Sequence, residues 1–207
     1  VYRDNDIIFV GIHSLHRISK YKGQDGEPPK VNKLGSGAWN KLKDKAKKRK
    51  QESVFCIEGE KEIRHALKGG FRLKTVFVKQ GYTDNVNDEA FTDCECIEVA
   101  NALFETLCYR KNTSVLIGVA HMQSHQLDRL QLPEKNAFIL IAEAPEKPGN
   151  IGALLRTADA IGVDAMLLVN PKTDLYNPNV VRSSVGCLFS VPVGVGGIEE
   201  TISFLGD

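Results

Sequence analysis

One segment of the chain combines polar side chains suited to positioning a reacting group with a helix that would hold them. Residues 146–162 follow a strand-length apolar run, at the place where open α/β sheets bind ligands beyond the carboxyl ends of their strands. Arg156 falls in the second turn of a predicted helix otherwise rich in Ile, Leu and Ala, where it has no obvious packing role. We predict that Asn150 and Arg156 project into a cleft at that edge of the sheet.

The other residues of this segment have structural explanations. Pro148 and Gly149 suit a tight turn, Asn150 could cap the helix, and Gly152 would let the helix approach the sheet closely. The segment lacks both the Gly-x-x-x-x-Gly-Lys-Ser/Thr phosphate loop and the Gly-x-Gly-x-x-Gly dinucleotide pattern. Binding of a nucleoside triphosphate or a nicotinamide cofactor is therefore not supported.

A second polar stretch, residues 177–189, contains Arg182 and Ser184. Two interpretations are open. These side chains could shape the same site as Arg156, or they could cap and pair locally within their own helix.

A basic cluster near the N-terminus is the main electrostatic feature, since seven of residues 41–50 are Lys or Arg. We predict a helix over 38–50 with Trp39 and Leu42 as its apolar anchors. Its basic side chains could follow an RNA phosphate backbone, although a solvated surface helix would show the same composition. The predicted RNA-binding residues are Lys47, Lys48, Arg49 and Lys50.

The elements that must position these residues form two α/β domains. Residues 37–122 alternate strands (54–57, 73–78, 97–99 and 114–120) with helices (58–68 and 102–108). Residues 123–136 are polar and contain Pro133, and they are predicted to form a linker. Residues 137–207 follow with strands at 137–142, 164–169 and 188–193, which should form a parallel sheet, and helices at 150–161, 179–184 and 198–205. The leader, residues 1–36, is left unassigned.

Composition excludes several classes of protein. The hydrophobic fraction of 42% and the charged fraction of 26% are typical of globular domains, and the longest apolar runs are too short to cross a bilayer. Five scattered cysteines without an export signal indicate a reducing, cytoplasmic environment. Cys94 and Cys96 lack a second pair at zinc-ligand spacing, and His121 and His125 lack a third ligand, so we expect no metal, ordinary cysteines, and linker or surface histidines.

Two motifs together resemble a known family. Residues 148–152, with Arg156, Thr157, Ala158 and Gly162, resemble the first signature motif of the SpoU-type (TrmH-like) RNA methyltransferases of the SPOUT superfamily. Residues 177–189 resemble the stretch of that family in which an Arg, a Ser and a Gly precede the third strand. Residues 55–59 and the following helix are similar to the N-terminal substrate-binding domain of the family, which resembles a small ribosomal RNA-binding protein.

The resemblance implies a homodimer that transfers a methyl group from S-adenosylmethionine to a ribose 2′-hydroxyl of rRNA or tRNA. It places Arg156 and Asn150 in the catalytic region, with Gly149, Arg182 and Ser184 in support. It implies that Arg156 activates the hydroxyl or holds the adjoining phosphate. An arginine stays protonated, so phosphate positioning and charge stabilisation are favoured over proton abstraction.

The resemblance also sets an expectation about what is missing. The family's two C-terminal motifs, which form its knot and most of its cofactor pocket, are absent before Asp207. We therefore expect an α/β ribosomal-protein-like RNA-binding domain followed by a partial parallel-sheet SPOUT-type domain without its knot, and we name no cofactor-binding residue. An RNA-binding protein that keeps this scaffold without catalysis is the alternative, and an unrelated α/β nucleotide-binding domain is a third reading.

Overall fold

The computed structural model describes residues 6–7, 30–31, 40–86, 89–109 and 114–206. The chain forms two compact units, one of Val1–Ile63 and Arg72–His121, the other of Arg64–Phe71 and Met122–Asp207. Most of the predicted leader, with Trp39, lies outside the described residues; within it, β1 (Asp6–Ile7) pairs in parallel with β2 (Lys30–Val31). Among the described residues, no helix has the length and apolarity needed to span a bilayer.

The first unit is built on a four-stranded sheet with the order β3-β6-β4-β5. β6 runs antiparallel to both β3 and β4, whereas β5 is parallel to β4. The strands predicted from the sequence are confirmed, with ends that differ by a few residues. Their bounds are Val54–Glu58 for β3, Leu73–Lys79 for β4, Glu95–Val99 for β5 and Leu116–His121 for β6.

Two helices of this unit are α1 (Ala46–Glu52) and α3 (Asn101–Leu107), and α2 (Glu60–Lys68) is divided between the two units after Ile63. Successive strand residues point to opposite faces of a sheet, so alternate residues of β3, β4 and β6 share one apolar core. Leu42 from the segment before α1 and Phe104 from α3 complete it. The strand residues of this core include Val54, Cys56, Phe77, Val99, Ile117 and Val119.

The second unit contains the predicted three-stranded parallel sheet, in the order β7-β8-β9. β8 (Ala165–Val169) is buried along its whole length because it lies between β7 (Ile139–Glu143) and β9 (Val193–Gly196). Its continuous apolar run is typical of a parallel strand covered on both faces. The helices are α4 (Pro148–Ile161), α5 (Pro178–Ser183) and α6 (Ile198–Gly206).

The third strand of this sheet was misplaced by the sequence pattern. The prediction of a strand over 188–193 is wrong: Cys187–Phe189 forms a 3₁₀ turn and β9 begins at Val193. Leu188, Phe189 and Val191 are all buried, so they supply an apolar run without being a strand. A short apolar run alone does not distinguish a strand from a buried turn.

The first part of the predicted linker is packed within the second unit. Leu127–Arg129 is a 3₁₀ turn, and Leu127 is buried. A Cβ added at Gly194 would lie 2.8 Å from Leu127 Cδ2, so this side chain covers the glycine-bearing surface of β9. The Val195 N–H donates to the His125 carbonyl oxygen over 2.7 Å, which ties the segment to β9.

Candidate active site and nucleic-acid interface

Helix α4 carries both predicted catalytic residues. Pro148 occupies its first turn, where a missing N–H costs nothing, and Gly162 ends it with a φ of 66°. Ile151, Leu155 and Ala158 form its buried face, whereas Asn150 and Arg156 are exposed. The prediction that Asn150 caps α4 is wrong, because Lys147 is the N-cap residue and Asn150 lies inside the first turn.

Arg156 is a solvent-accessible cation. Within the part of the chain that the structure describes, no carboxylate lies within salt-bridge distance of its guanidinium. It is close enough to Cys187 to lower the pKa of that thiol, against the larger raising effects of burial and Asp159. Because Arg156 is exposed, the described residues do not confirm the prediction that it lies within a cleft.

Asp159, one turn after Arg156, links α4 to the turn before β9. Its Oδ1 accepts a hydrogen bond of 2.7 Å from Ser190 Oγ. This contact joins residues 31 positions apart, and the sequence motif gave no indication of it. It anchors the helical turn that follows Arg156.

Gly152 is required by a contact between two helices. A Cβ at this position would lie 2.7 Å from the carbonyl carbon of Ser183, at the end of α5. The predicted reason for this glycine, close approach to the sheet, is therefore corrected to close approach of α4 to α5. Gly149 differs, since nothing lies within 4 Å of an added Cβ.

The two residues of the second motif make local contacts. Ser184 is 0% exposed, and its hydroxyl donates to the Val181 carbonyl oxygen over 2.8 Å. Ser184 therefore cannot contact a ligand in this arrangement, and the predicted supporting role of its hydroxyl is corrected to a structural one. Arg182 is exposed and donates to Asn179 Oδ1 over 3.2 Å.

The carboxyl edge of the parallel sheet is formed by residues with unusual backbone geometry. Ala144 and Asn170 both have a φ of 46°, in the left-handed region. The Asn170 N–H donates to the Gly196 carbonyl oxygen, and the Gly197 N–H donates to Glu200 Oε2 over 2.8 Å. These two backbone N–H groups at the edge are thus hydrogen-bonded within the protein.

The basic cluster is divided by a break in its helix. Residues 40–44 are helical, Lys45 is extended (φ −115°, ψ 110°), and α1 follows. Arg49 is 1% exposed and donates to the carbonyl oxygens of Leu42, at 2.9 Å, and Lys43, at 2.6 Å. The break deprives these two carbonyl oxygens of their helical N–H partners, and the Arg49 guanidinium donates to them instead. Because Arg49 is buried in this way, its prediction as an RNA-binding residue is wrong.

The neighbouring lysines keep their exposure to different degrees. Lys47 and Lys50 are exposed, whereas Lys48 is partly buried and forms an ion pair with Glu52. Lys47 and Lys50 are therefore the members of the predicted set that are best placed to contact a phosphate backbone.

His125 occupies a structural position that the sequence did not reveal. Its Nδ1 lies 2.9 Å from the Val193 carbonyl oxygen and its Nε2 lies 2.7 Å from the Tyr176 hydroxyl. Burial lowers the pKa of His125, so the neutral ring is favoured. Its prediction as a linker or surface residue is wrong. The described residues contain no group of three or more potential metal ligands.

A cavity of about 240 Å³ lies within the second unit. His125, Arg129 and Ser190 contribute to its lining, whereas Asn150 and Arg156 do not. The structure therefore does not bring the predicted catalytic residues into this cavity.

Comparisons with known proteins match each of the two domains predicted from the sequence to a known domain, in the same order along the chain. Residues 37–118 match the MRM3-like substrate binding domain, and residues 137–207 match the SpoU rRNA Methylase family. The 23S rRNA (guanosine(2553)-2′-O)-methyltransferase RlmP of Bacillus subtilis (strain 168) is 30% identical over 155 residues, which is 75% of this chain and 59% of that protein. The 23S rRNA (uridine(2479)-2′-O)-methyltransferase of Streptomyces viridochromogenes is 29% identical over 158 residues, covering 74% of this chain and 55% of that protein.

Solved structures give the same result. The SpoU methyltransferase AviRb from Streptomyces viridochromogenes, in complex with AdoMet, has a TM-score of 0.74 at 26% identity, covering 84% of this chain and 68% of that one. An RNA 2′-O ribose methyltransferase has a TM-score of 0.65 at 32% identity, covering 81% and 66% of the respective chains. The chain thus spans between half and two thirds of the curated relatives it matches, at 59% and 55%.

Proposed function

We propose that the chain belongs to the SpoU rRNA methylase family, whose model matches residues 137–207 after an MRM3-like substrate-binding domain, and that it acts in RNA 2′-O-methylation. In that reaction a methyl group passes from S-adenosylmethionine to a ribose 2′-hydroxyl of rRNA or tRNA. The names of the two relatives favour rRNA as the substrate. The observation that carries the proposal is an exposed arginine without a carboxylate partner, Arg156, on the motif helix α4.

Arg156 is proposed to hold the RNA phosphate beside the acceptor ribose. A guanidinium is a cation whose planar donors match phosphate oxygens in pairs. Fixing that phosphate would orient the neighbouring 2′-hydroxyl toward the donated methyl group, which lowers the entropic part of the barrier. Asn150, exposed in the first turn of α4, would add a neutral donor and acceptor to the same RNA segment.

The supporting residues divide by accessibility. Gly149 has open space around its Cα, which would allow the RNA backbone to approach α4 closely. Arg182 is exposed and could contact RNA from α5. Ser184 is retained only as a packing residue, because it is completely buried.

The first unit is proposed to bind RNA through Lys47 and Lys50, with Lys48 making a weaker contribution. Exposed lysines near phosphates release condensed counterions, so this binding would depend strongly on salt and weakly on sequence. The match of residues 37–118 to a substrate-binding domain supports a role of the first unit in binding RNA.

S-adenosylmethionine is proposed as the methyl donor, since the AviRb structure similar to this chain holds AdoMet. Bound to the protein, it would supply a methyl group activated by its sulfonium charge. At the carboxyl edge of the parallel sheet, the backbone N–H groups of Asn170 and Gly197 are already hydrogen-bonded within the protein. We therefore assign no side chain to the donor.

A cytoplasmic homodimer is proposed as the working form. Several large apolar side chains of the second unit are exposed, and such surfaces often mark interfaces. They lie on and beside β7 and along α6, where Ile202 is 65% exposed; the set comprises Phe138, Ile141, Ile198, Ile202 and Leu205. All five cysteines are free thiols, as expected in a reducing compartment.

The test is methyl incorporation by the full protein and its Arg156→Ala variant, measured with labelled S-adenosylmethionine and unmodified rRNA. Loss of phosphate positioning should lower kcat/KM on the order of 100-fold, while the thermal unfolding midpoint stays unchanged because Arg156 is exposed. Arg129→Ala, which removes another exposed arginine of the second unit, serves as the matched control and should retain activity.

Two results would argue against this function. Undiminished activity of Arg156→Ala would remove Arg156 from the mechanism. A parent protein that binds rRNA but neither binds S-adenosylmethionine in calorimetry nor incorporates methyl groups would identify the alternative, an RNA-binding protein on a methyltransferase scaffold.

A further inference from the structure

Two basic side chains of the first unit are neighbours where β4 begins and β6 ends. Arg72 immediately precedes β4, and His121 is the last residue of β6. The two strands are antiparallel, and the His121 N–H donates to the Arg72 carbonyl oxygen over 2.9 Å. Residues directly opposite each other on antiparallel strands have Cβ atoms about 4.5–5.5 Å apart, on one face of the sheet. Arg72 and His121 are therefore adjacent on that face.

A third basic residue, Lys74, joins this pair through an irregularity of β4. The register between β4 and β6 shifts between Leu73 and Thr75, which makes Lys74 the extra residue of a bulge. Burial first, and then the charges of Lys74 and Arg72, lower the pKa of His121, so both cations act on its ring. Arg72, Lys74 and His121 are called the Arg72 cluster below.

The Arg72 cluster is accessible to an anion. Arg72 is exposed and His121 is partly exposed. Within the described part of the chain, no carboxylate lies within salt-bridge distance of either side chain. The β3 residue opposite His121 is the apolar Val54, and Glu52, at the end of α1, forms an ion pair with Lys48. The positive charge of Arg72 is thus available to a partner from solution.

The cluster lies on the sheet face against which the segment leading into α1 packs. His121 follows Val119 by two positions in β6, so both side chains point to that face, and Val119 shares an apolar core with Leu42. One residue separates the end of α1 from β3, whose first residue, Val54, lies opposite His121. The exposed Lys50, in the last turn of α1, therefore belongs to the same basic face as the cluster.

We propose that the Arg72 cluster is a second phosphate-binding surface of the first unit, which extends the RNA interface from Lys47 and Lys50 on α1 across the sheet to β4. This inference rests on the proposed function, because it takes RNA as the polyanion. Arg72 would hold a phosphate through paired guanidinium donors, Lys74 would add a point charge, and the His121 ring would donate a hydrogen bond. Cations repeated along one face match the repeated charges of a nucleic-acid backbone.

The experiment measures the salt dependence of RNA binding by fluorescence anisotropy, with the full chain and a labelled RNA hairpin. Arg72→Ala should lower the slope of log affinity against log salt concentration by about 0.7–0.9, the contribution of one phosphate contact. Combined with Lys47→Ala and Lys50→Ala, it should bring the total decrease to about 2.1–2.7. Arg72→Lys, which keeps the charge, should keep the parent's slope.

Two further variants separate charge from hydrogen bonding and from position. The lowered pKa of His121 leaves its ring largely neutral at about pH 7.5, so His121→Ala should weaken RNA binding by about two- to tenfold without changing the slope. Lys61→Ala is the matched control, because it removes an exposed lysine of α2. Ile63 of α2 lies over Gly118, on the opposite face of the sheet, so Lys61→Ala should bind RNA as the parent does.

Thermal unfolding checks that each variant folds, as expected for Arg72, whose side chain is exposed. The parent's slope in Arg72→Ala, beside a lowered slope in the Lys47 and Lys50 double variant, would overturn the role of the cluster and leave the proposed function intact. Salt-independent binding by the parent would overturn both. If Arg72→Ala lost binding of a polyglutamate peptide but kept the parent's RNA binding, the surface would belong to an acidic protein partner, and the proposal would be wrong.

Discussion

At the scale of single residues, two glycines of α4 show how identical residue types serve different purposes. Gly152 lies against the backbone of Ser183, where a Cβ would come within 2.7 Å of the carbonyl carbon. Gly149 faces open space. Packing therefore accounts for Gly152. No described residue is close enough to require a glycine at position 149, so a bound molecule such as RNA would have to supply the close contact.

Alanine substitution separates these roles. Gly152→Ala should destabilise the protein by about 1–3 kcal/mol, the usual cost of overpacking. Gly149→Ala should leave stability unchanged or raise it by up to about 1 kcal/mol, because alanine is the better helix residue. Denaturant unfolding measures both. A selective loss of methyl transfer in Gly149→Ala would support close approach of RNA, and equal destabilisation by both variants would contradict the structural distinction.

At the scale of elements, the basic segment owes its arrangement to the break at Lys45. The break turns Arg49 inward to the carbonyl oxygens of Leu42 and Lys43, and it leaves Lys47 and Lys50 exposed on α1. The four predicted RNA-binding residues, similar in charge, thus become one structural arginine, one ion-paired lysine and two exposed lysines.

The salt dependence of RNA binding tests this division. Each phosphate contact contributes a slope of about 0.7–0.9 to the plot of log affinity against log salt concentration. Lys47→Ala combined with Lys50→Ala should therefore lower the slope by about 1.4–1.8 in fluorescence anisotropy titrations. Lys48→Ala, in the same helix, should have a smaller effect because Lys48 pairs with Glu52. Equal slopes in the parent and the double variant would show that α1 does not bind RNA.

At the scale of the whole molecule, long-range contacts hold the segment around His125 in the second unit. His125 joins Tyr176 and Val193, which are 51 and 68 residues away in the chain. With Nδ1 donating to a carbonyl oxygen, Nε2 is left to accept from the Tyr176 hydroxyl. The neutral ring is favoured by burial, which keeps the pKa of His125 below its ordinary value of 6.5.

Stability should consequently depend on pH. Because the folded pKa of His125 is lowered, the unfolded chain binds its proton first as the pH falls below about 6.5. The free energy of unfolding should therefore decrease over that range and level off below the folded pKa. His125→Gln, which cannot titrate, should show a flatter dependence in denaturant unfolding between about pH 7.5 and 5.5.

The comparison variant is His121→Gln. Burial is the first cause of the lowered pKa of His121 too, followed by Lys74 and Arg72, but His121 is more accessible to solvent. The His121→Gln variant should therefore keep most of the pH dependence that the parent's free energy of unfolding shows. The same pH dependence in His125→Gln and the parent would show that protonation of His125 is not coupled to folding.

The sequence by itself determined the α/β class, six of the seven principal strands within a few residues, the motif helix α4 and the resemblance to the SpoU-type family. These features are encoded locally: the continuous apolar run of β8 indicates a buried parallel strand, and the spacing from Pro148 to Gly162 is contained in one helix and its caps. Hydrophobic periodicity and short motifs report such features because neighbouring residues alone define them.

Only the tertiary structure decided the burial of Arg49 and Ser184, the role of His125 and the start of β9 at Val193. Each of these depends on a partner or a break that composition does not reveal, such as the extended Lys45 or the distant Tyr176. A side chain's type states which hydrogen bonds it can make, but its partners are selected by packing of segments far apart in the chain. For that reason the sequence motif predicts that Arg156 lies on a helix, whereas the exposure of its side chain is set by the tertiary structure.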